Sequence, residues 1–161
     1  MVDLKGLSAA ELLLLHAQMG DALRVRGIVR TGNNPVGDLA EVLFCRAFGW
    51  RQSGNSNRSI DAISDDGSRI QIKGRRITRH NASRQLSAIR DLGGGHFDLL
   101  AAVLFSEDYT VQRAALVPRE TVAARAKYVA HTNSHKFLLH DDVWSVVGVQ
   151  DVTEALRQVR L

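Results

Sequence analysis

Two short stretches of this chain carry residue types that can do chemistry together. Asp61 is followed by nine intervening residues and then by Gln71-Ile72-Lys73. Between them lies Asp65-Asp66-Gly67, a three-residue loop ending in glycine, which suits a hairpin with the glycine in the left-handed region. Pairing the flanking strands around that loop sets Ser64 opposite Ser68 and Asp61 opposite Gln71. Directly opposed residues share a face and strand side chains alternate, so Lys73 joins them while Ile70 and Ile72 turn to the other face. A two-residue loop would instead move Asp61 to the side of Ile72. An Asp oxygen, a Gln carbonyl oxygen and the backbone carbonyl of Ile72 are hard ligands of the kind Mg²⁺ takes, with Mn²⁺ a substitute. A lysine beside them can hold an attacking water and offset charge in a phosphoryl transition state. The chemistry is phosphodiester hydrolysis; the bland alternative is an Asp–Lys cross-strand pair on a solvated face.

The charge pattern points the same way. From Arg69 to Arg90 there are seven cations (Arg69, Lys73, Arg75, Arg76, Arg79, Arg84 and Arg90) and no Asp or Glu, with His80 as a further donor. A one-signed block inside a folded domain suits a polyanion, most simply DNA. Arg75, Arg76, Arg79, His80 and Arg84 are the phosphate-holding candidates. Asn57 and Arg58, just before the Asp61 strand, are placed to touch an entering strand. His131 and His135 are four apart, but Thr132-Asn133-Ser134 between them disfavours helix, so a polar loop contacting phosphate fits better than zinc. Cys45 reads as a small core residue on an apolar helix face.

The elements that must position these groups follow from periodicity. Ser8 to about Val29 predicts a helix opened by a Ser8/Glu11 capping box. Pro35 to about Phe48, stopped by Gly49, predicts a second, with Val36, Leu39, Ala40, Leu43, Phe44 and Ala47 on one face. Ile60–Ser64 and Ser68–Gly74 read as the hairpin strands. Gln85–Arg90 is open between strand and helical turn. Phe97–Phe105 reads as a buried strand and Tyr109–Val117 as its neighbour. Pro118 opens a helix to about Tyr128, His131–Lys136 reads as loop, Phe137–Leu139 as a strand and Asp151–Arg160 as a closing helix. The expected fold is one α/β domain over residues 1–161, a mixed central sheet flanked by helices.

The composition is compatible with this and narrows the setting. The 161 residues are 45% hydrophobic and 24% charged, with net charge +4, which excludes a largely disordered chain. One cysteine allows no intrachain disulfide. No apolar run approaches the ~20 residues of a membrane span, and the start lacks a signal peptide's pattern. A cytoplasmic protein that does not bind membranes is the expectation.

Asp61 followed by Gln71-Ile72-Lys73 resembles the PD-(D/E)xK nuclease superfamily, whose restriction-endonuclease-like core carries an Asp on one strand and an acid-x-Lys on the next. Glu41, in Gly37-Asp38-Leu39-Ala40-Glu41, is similar to the helical glutamate that many members add to the metal site. The resemblance covers roughly Val36 to Val117, making 35–117 the catalytic core between an N-terminal helix and loop (1–34) and C-terminal elements (118–161). It implies a Mg²⁺-dependent DNA endonuclease on duplex or branched DNA, with Asp61, Gln71, Glu41 and Ile72 around the metal and Lys73 assisting the water. It also implies a homodimer, which places two sites on two strands. Gln71 stands where the family usually has Glu or Asp; it keeps an oxygen and removes a charge. A catalytically inactive nucleic-acid-binding module of the same fold is therefore the alternative.

Overall fold

A computed structural model describes residues 3–54 and 60–161. The first helix, α1 (Ala9–Val25), opens with the expected capping box: Ser8 Oγ accepts from the Glu11 N–H, and the Glu11 carboxylate accepts from the Ser8 N–H. It ends four residues before the predicted Val29, because Gly27 adopts φ 68° and the chain turns there. Its sequence face does not become a core face: no α1 residue is buried, and Ile28 and Val29 beyond it are. Helix α2 (Val36–Phe48) follows, closed by Gly49 in the left-handed conformation.

The strands are β1 (Arg51–Gln52), β2 (Ala62–Ile63), β3 (Arg69–Arg76), β4 (Ile89–Arg90), β5 (Leu99–Phe105), β6 (Val111–Pro118), β7 (Lys127–Val129), β8 (Ser134–Lys136) and β9 (Gln150–Asp151). Two further helices are α3 (Arg119–Arg125) and α4 (Thr153–Arg157). Six strands form one sheet in the order β1-β2-β3-β5-β6-β9. Only β3 and β5 pair in parallel within it; the other neighbours are antiparallel. The fold is thus the expected mixed α/β arrangement. The hairpin register is the predicted one: Ala62 pairs with Ile70 and Ile63 with Arg69, around a turn in which Gly67 has φ 84°.

Alternation along the central strands divides the core. Ile70, Ile72, Ala101, Val103 and Phe105 pack under α2 and α4 with Leu39, Ala40, Leu43, Phe44 and Leu156. Leu100, Ala102 and Leu104 face the other way, onto Leu86, Ile89, Phe97, Val122, Phe137 and Leu139.

That second layer departs from the sequence reading. His131–Lys136 is not a loop: Ala130–Thr132 forms a 3-10 turn, and Ser134–Lys136 is a strand between β4 and β7 in a separate three-stranded sheet. Strands of two and three residues are too short to show a period, and the reversal rests on Asn133 at φ 43°. Phe137–Leu139 is buried at Phe137 and Leu139 but forms only one bridge, Leu138 to Gln85. The closing helix is five residues long, because Asp151 pairs with Ala115 at the sheet edge. Among the described residues no helix is long and apolar enough to cross a membrane.

Helix α2 lies unusually close to β3. A Cβ built on Gly74 would sit 3.0 Å from Val36 Cγ1, 3.0 Å from the Val36 carbonyl oxygen and 3.1 Å from Ala40 Cβ. Backbone on one side leaves no flexible group to give way. Gly74→Ala should therefore destabilise the fold by about 1–3 kcal/mol through overpacking, read as a lower denaturation midpoint. Gly93→Ala, at a position with open space, should be neutral or slightly stabilising through the unfolded chain. Equal midpoints for both variants would show that the close approach is not under steric control.

Candidate functional site

Glu41, Asp61, Ile72, Lys73, Arg75 and Arg76 line one cleft, closed at its margins by Asn34, Gly37 and Ser87. The cleft forms where β3 outruns β2. Strand β2 ends its pairing at Ala62, while β3 continues past Gln71 alongside β5. Asp61 sits at that step. Its N–H donates to the Ile70 carbonyl at 2.8 Å, its carbonyl accepts from Ser53 N–H at 2.9 Å, and its Oδ2 accepts from the Ile72 N–H at 2.7 Å. The carboxylate thus replaces the missing strand neighbour of Ile72 and is held rigidly beside the β3 backbone.

Glu41 arrives from α2, on the far side of the sequence from the hairpin. Its Oε2 accepts from Gln52 Nε2 at 2.8 Å and from the Arg30 guanidinium. Arg30 is itself placed by Asp38, whose buried carboxylate accepts the backbone N–H groups of Arg30 (2.9 Å) and Thr31 (3.0 Å) and the Thr31 hydroxyl (3.0 Å). Burial pushes the Asp38 pKa up, but these N–H and O–H donors outweigh it and hold the carboxyl below its ordinary value. Asp38, Arg30 and Gln52 were not singled out by sequence. The available signal was an acid in the first turn of a helix whose preceding loop carries Arg30-Thr31.

The two site carboxylates differ from Asp38. Burial raises the Asp61 pKa, with the Ile72 N–H and the Lys73 charge pulling it back. Burial also raises Glu41, and the Asp61 charge adds to this against the Gln52 hydrogen bond and Arg30. Two partly desolvated carboxylates that repel each other form a site whose charge calls for a cation. The donor set fits a hard divalent ion: two carboxylates beside the Ile72 backbone, the number Mg²⁺ commonly takes from protein before completing its shell with water and phosphate. Among the described residues no group of three or more His, Cys, Asp or Glu gathers around such a position.

Gln71 lies one residue past the last β2–β3 pair, Ala62–Ile70; Asp61 has already left the strand there and bonds to Ile70 and Ile72, and Gln71 does not line the cleft. Its side chain is buried, 5% exposed, beside Leu100 on the adjacent strand, and its Oε1 has no hydrogen-bond partner. A buried carbonyl oxygen left unpaired costs about 1–3 kcal/mol.

The basic segment is less free than its composition suggests. Arg69 is paired with Asp98 at 2.7 Å and Arg84 with Asp141 at 2.8 Å, acids that lie outside the segment in sequence and beside it in space. Arg75 donates to the Ser83 carbonyl, and Arg76 to the Glu107 carbonyl and the Tyr109 hydroxyl, with its guanidinium 4.3 Å from the Tyr109 ring centre. Both still reach the cleft. Arg79 is exposed, donates to His80, and lies 3.9 Å from Glu107. Asn57 and Arg58 lie outside the described residues. Cys45 is half-buried, and burial pushes its thiol up to about 11, as a structural cysteine.

Both raised carboxylates oppose folding. Their folded pKa values lie above the unfolded ones, so stability falls as pH rises through that interval. Asp61→Asn keeps an oxygen for the Ile72 N–H and removes the charge. The metal-free variant should melt above wild type at pH 7. Wild type should gain about 1.4 kcal/mol at Mg²⁺ ten times its Kd, and the variant should lose most of that gain. Thermal melts in EDTA and in Mg²⁺ check both statements; a lower metal-free Tm for Asp61→Asn would refute the electrostatic account. No protein-family model matches the chain and no curated protein is similar to it, so its chemistry follows from these residues alone.

Proposed function

We propose that the chain is a metal-dependent endonuclease with a restriction-endonuclease-like fold, hydrolysing phosphodiester bonds in DNA at the Glu41–Asp61–Lys73 cleft. The observation that carries the reading is the meeting of two carboxylates with raised pKa, the Ile72 backbone and one lysine, delivered from α2, the approach to β2, and β3. A helix followed by a mixed sheet is also the core the sequence resemblance implies.

Asp61, Glu41 and the Ile72 carbonyl would hold Mg²⁺, or Mn²⁺ in its place. A bound divalent ion supplies Lewis acidity toward the phosphate and a more acidic water. Lys73 holds the attacking water and offsets charge as the new P–O bond forms and the bond to the leaving sugar oxygen breaks. The water's proton passes to solvent and the leaving oxygen takes one up. Arg75 and Arg76 at the cleft wall bind the flanking phosphates. Two such sites, one on each copy of a homodimer, would serve the two strands of a duplex.

A second reading has its own observation. Gln71 is buried away from the cleft and the acids number two, which suits a module of the same fold that binds nucleic acid without cutting it. Plasmid incubation with Mg²⁺, Mn²⁺ or EDTA separates the readings. Wild type should nick or linearise plasmid only with metal, and Lys73→Ala should cut at least about 10²-fold more slowly while retaining most DNA affinity. Gln71→Glu puts a charge at a buried position beside Leu100 and outside the cleft, so it should lower the Tm without raising metal affinity or cleavage. Wild type that binds DNA and leaves plasmid intact with Mg²⁺ and with Mn²⁺ would establish the binding module instead.

A further inference from the structure

The small sheet on the second layer carries a charge arrangement that its own stability does not explain. Strand register sets Lys127 directly opposite Lys136, and both are exposed. Like charges opposed across a strand pair repel, with Cβ atoms about 4.5–5.5 Å apart. On the next strand Arg90 pairs with Ser134, two residues from Lys136 and therefore on the same face. Among the described residues none of the three has a carboxylate within 4.0 Å; neighbouring Asp91 is taken by His96, while the nearby segment's Arg69 and Arg84 are neutralised by Asp98 and Asp141. Besides Lys73, Arg75 and Arg76 at the cleft, the cations here without a carboxylate partner among the described residues meet on a sheet face assembled from residues 90, 127 and 136.

A short stretch of chain joins β4 to the cleft wall. Ser87 lines the cleft and β4 begins two residues later. Three residues of extended chain, Ser87 to Arg90, span at most about 11 Å, roughly three nucleotide steps at 3.4 Å each. We propose that the β4–β8–β7 face, through Arg90, Lys127 and Lys136, binds the DNA backbone running out of the cleft. Opposed lysines suit this because a phosphate between them turns mutual repulsion into two attractions. The inference rests on the nucleic-acid part of the proposed function and not on cleavage.

The test is binding of a fluorescent duplex DNA in EDTA, where no metal-dependent cutting occurs, across a salt series. Lys127→Gln/Lys136→Gln should weaken binding tenfold or more at low salt. Its log K against log salt slope should be shallower than wild type by about 1.8, two phosphates at about 0.9 each. Lys5→Gln/Arg26→Gln, with the same change in net charge at exposed positions elsewhere, should leave the slope unchanged. Lys136→Glu gives a readout that a structural role would not: it replaces a repulsive pair by an attractive one, so DNA binding should fall while Tm holds or rises. An unchanged slope for the double Gln variant, or an equal loss in the control, overturns the assignment whether or not plasmid is cut. Wild type that fails to bind DNA overturns this inference together with the nucleic-acid reading. Binding that depends on Lys127 and Lys136 in a protein that never cuts upholds the surface and removes only the nuclease.

Discussion

The contact on which the site depends is the seating of α2 on β3. Gly74 has no side chain, Ala40 has one carbon, and the Val36 carbonyl oxygen lies 3.0 Å from where a Cβ would be. Small residues at a crossing let two elements approach more closely than ordinary side chains permit, and close-packed interiors transmit small displacements instead of absorbing them. Glu41 follows Ala40 directly on the same helix, so its distance from Asp61 is set by how deeply α2 sits. Leu39, Leu43 and Phe44 bury on Ile70 and Ile72, and that burial drives α2 onto the strand. The same alternation that turns Ile70 and Ile72 toward the helix turns Lys73 the other way.

Holding two acids near each other at the edge of such a core has an electrostatic cost, and the loop before α2 shows how it is limited. Asp38 is the satisfied acid of the group, with three donors on one oxygen. Its role is to fix the Arg30 backbone, and Arg30 then meets Glu41. Glu41 is thus partly compensated, and Asp61 is offset by the Ile72 N–H, the Lys73 charge and Arg30, yet burial still raises both carboxyls. An added cation between them, beside Ile72, would relieve that repulsion. A site held this way is preorganised for positive charge and is not neutral without it.

What could be read from sequence was what local chemistry determines. The Ser8/Glu11 box, the Gly49 stop and the Asp65-Asp66-Gly67 turn are short-range signals, and the hairpin register followed from the turn length. Glu41 and Asp61 come together as the resemblance implied. The failures were long-range or sub-periodic. A two-residue strand such as Ile89–Arg90 shows no period, and its identity comes from β8, more than forty residues away. Arg69 and Arg84 looked free because Asp98 and Asp141 are distant in sequence. The hairpin register holds only as far as Ala62–Ile70: Asp61 bends out of the strand to meet the Ile72 N–H, and Gln71 is enclosed beside Leu100 on the parallel neighbour, a pairing with no local signature.

These points bear on how charge should be counted in a folded chain. Counted by sequence, the cations from Arg69 to Arg90 form one block; counted by contact, Arg69, Arg79 and Arg84 meet carboxylates, Arg75 and Arg76 are held by carbonyl oxygens, Lys73 lines the cleft, and Arg90 joins residues from β7 and β8. Long-range electrostatics respond to the second count. Arginines held by backbone carbonyls keep their charge and lose their freedom, which lowers the entropy lost when a phosphate arrives, whereas the mobile lysines on the small sheet attract at range but order on binding. A polyanion crossing this surface would therefore meet flexible charge first and fixed charge at the cleft, where position matters for chemistry and attraction alone does not.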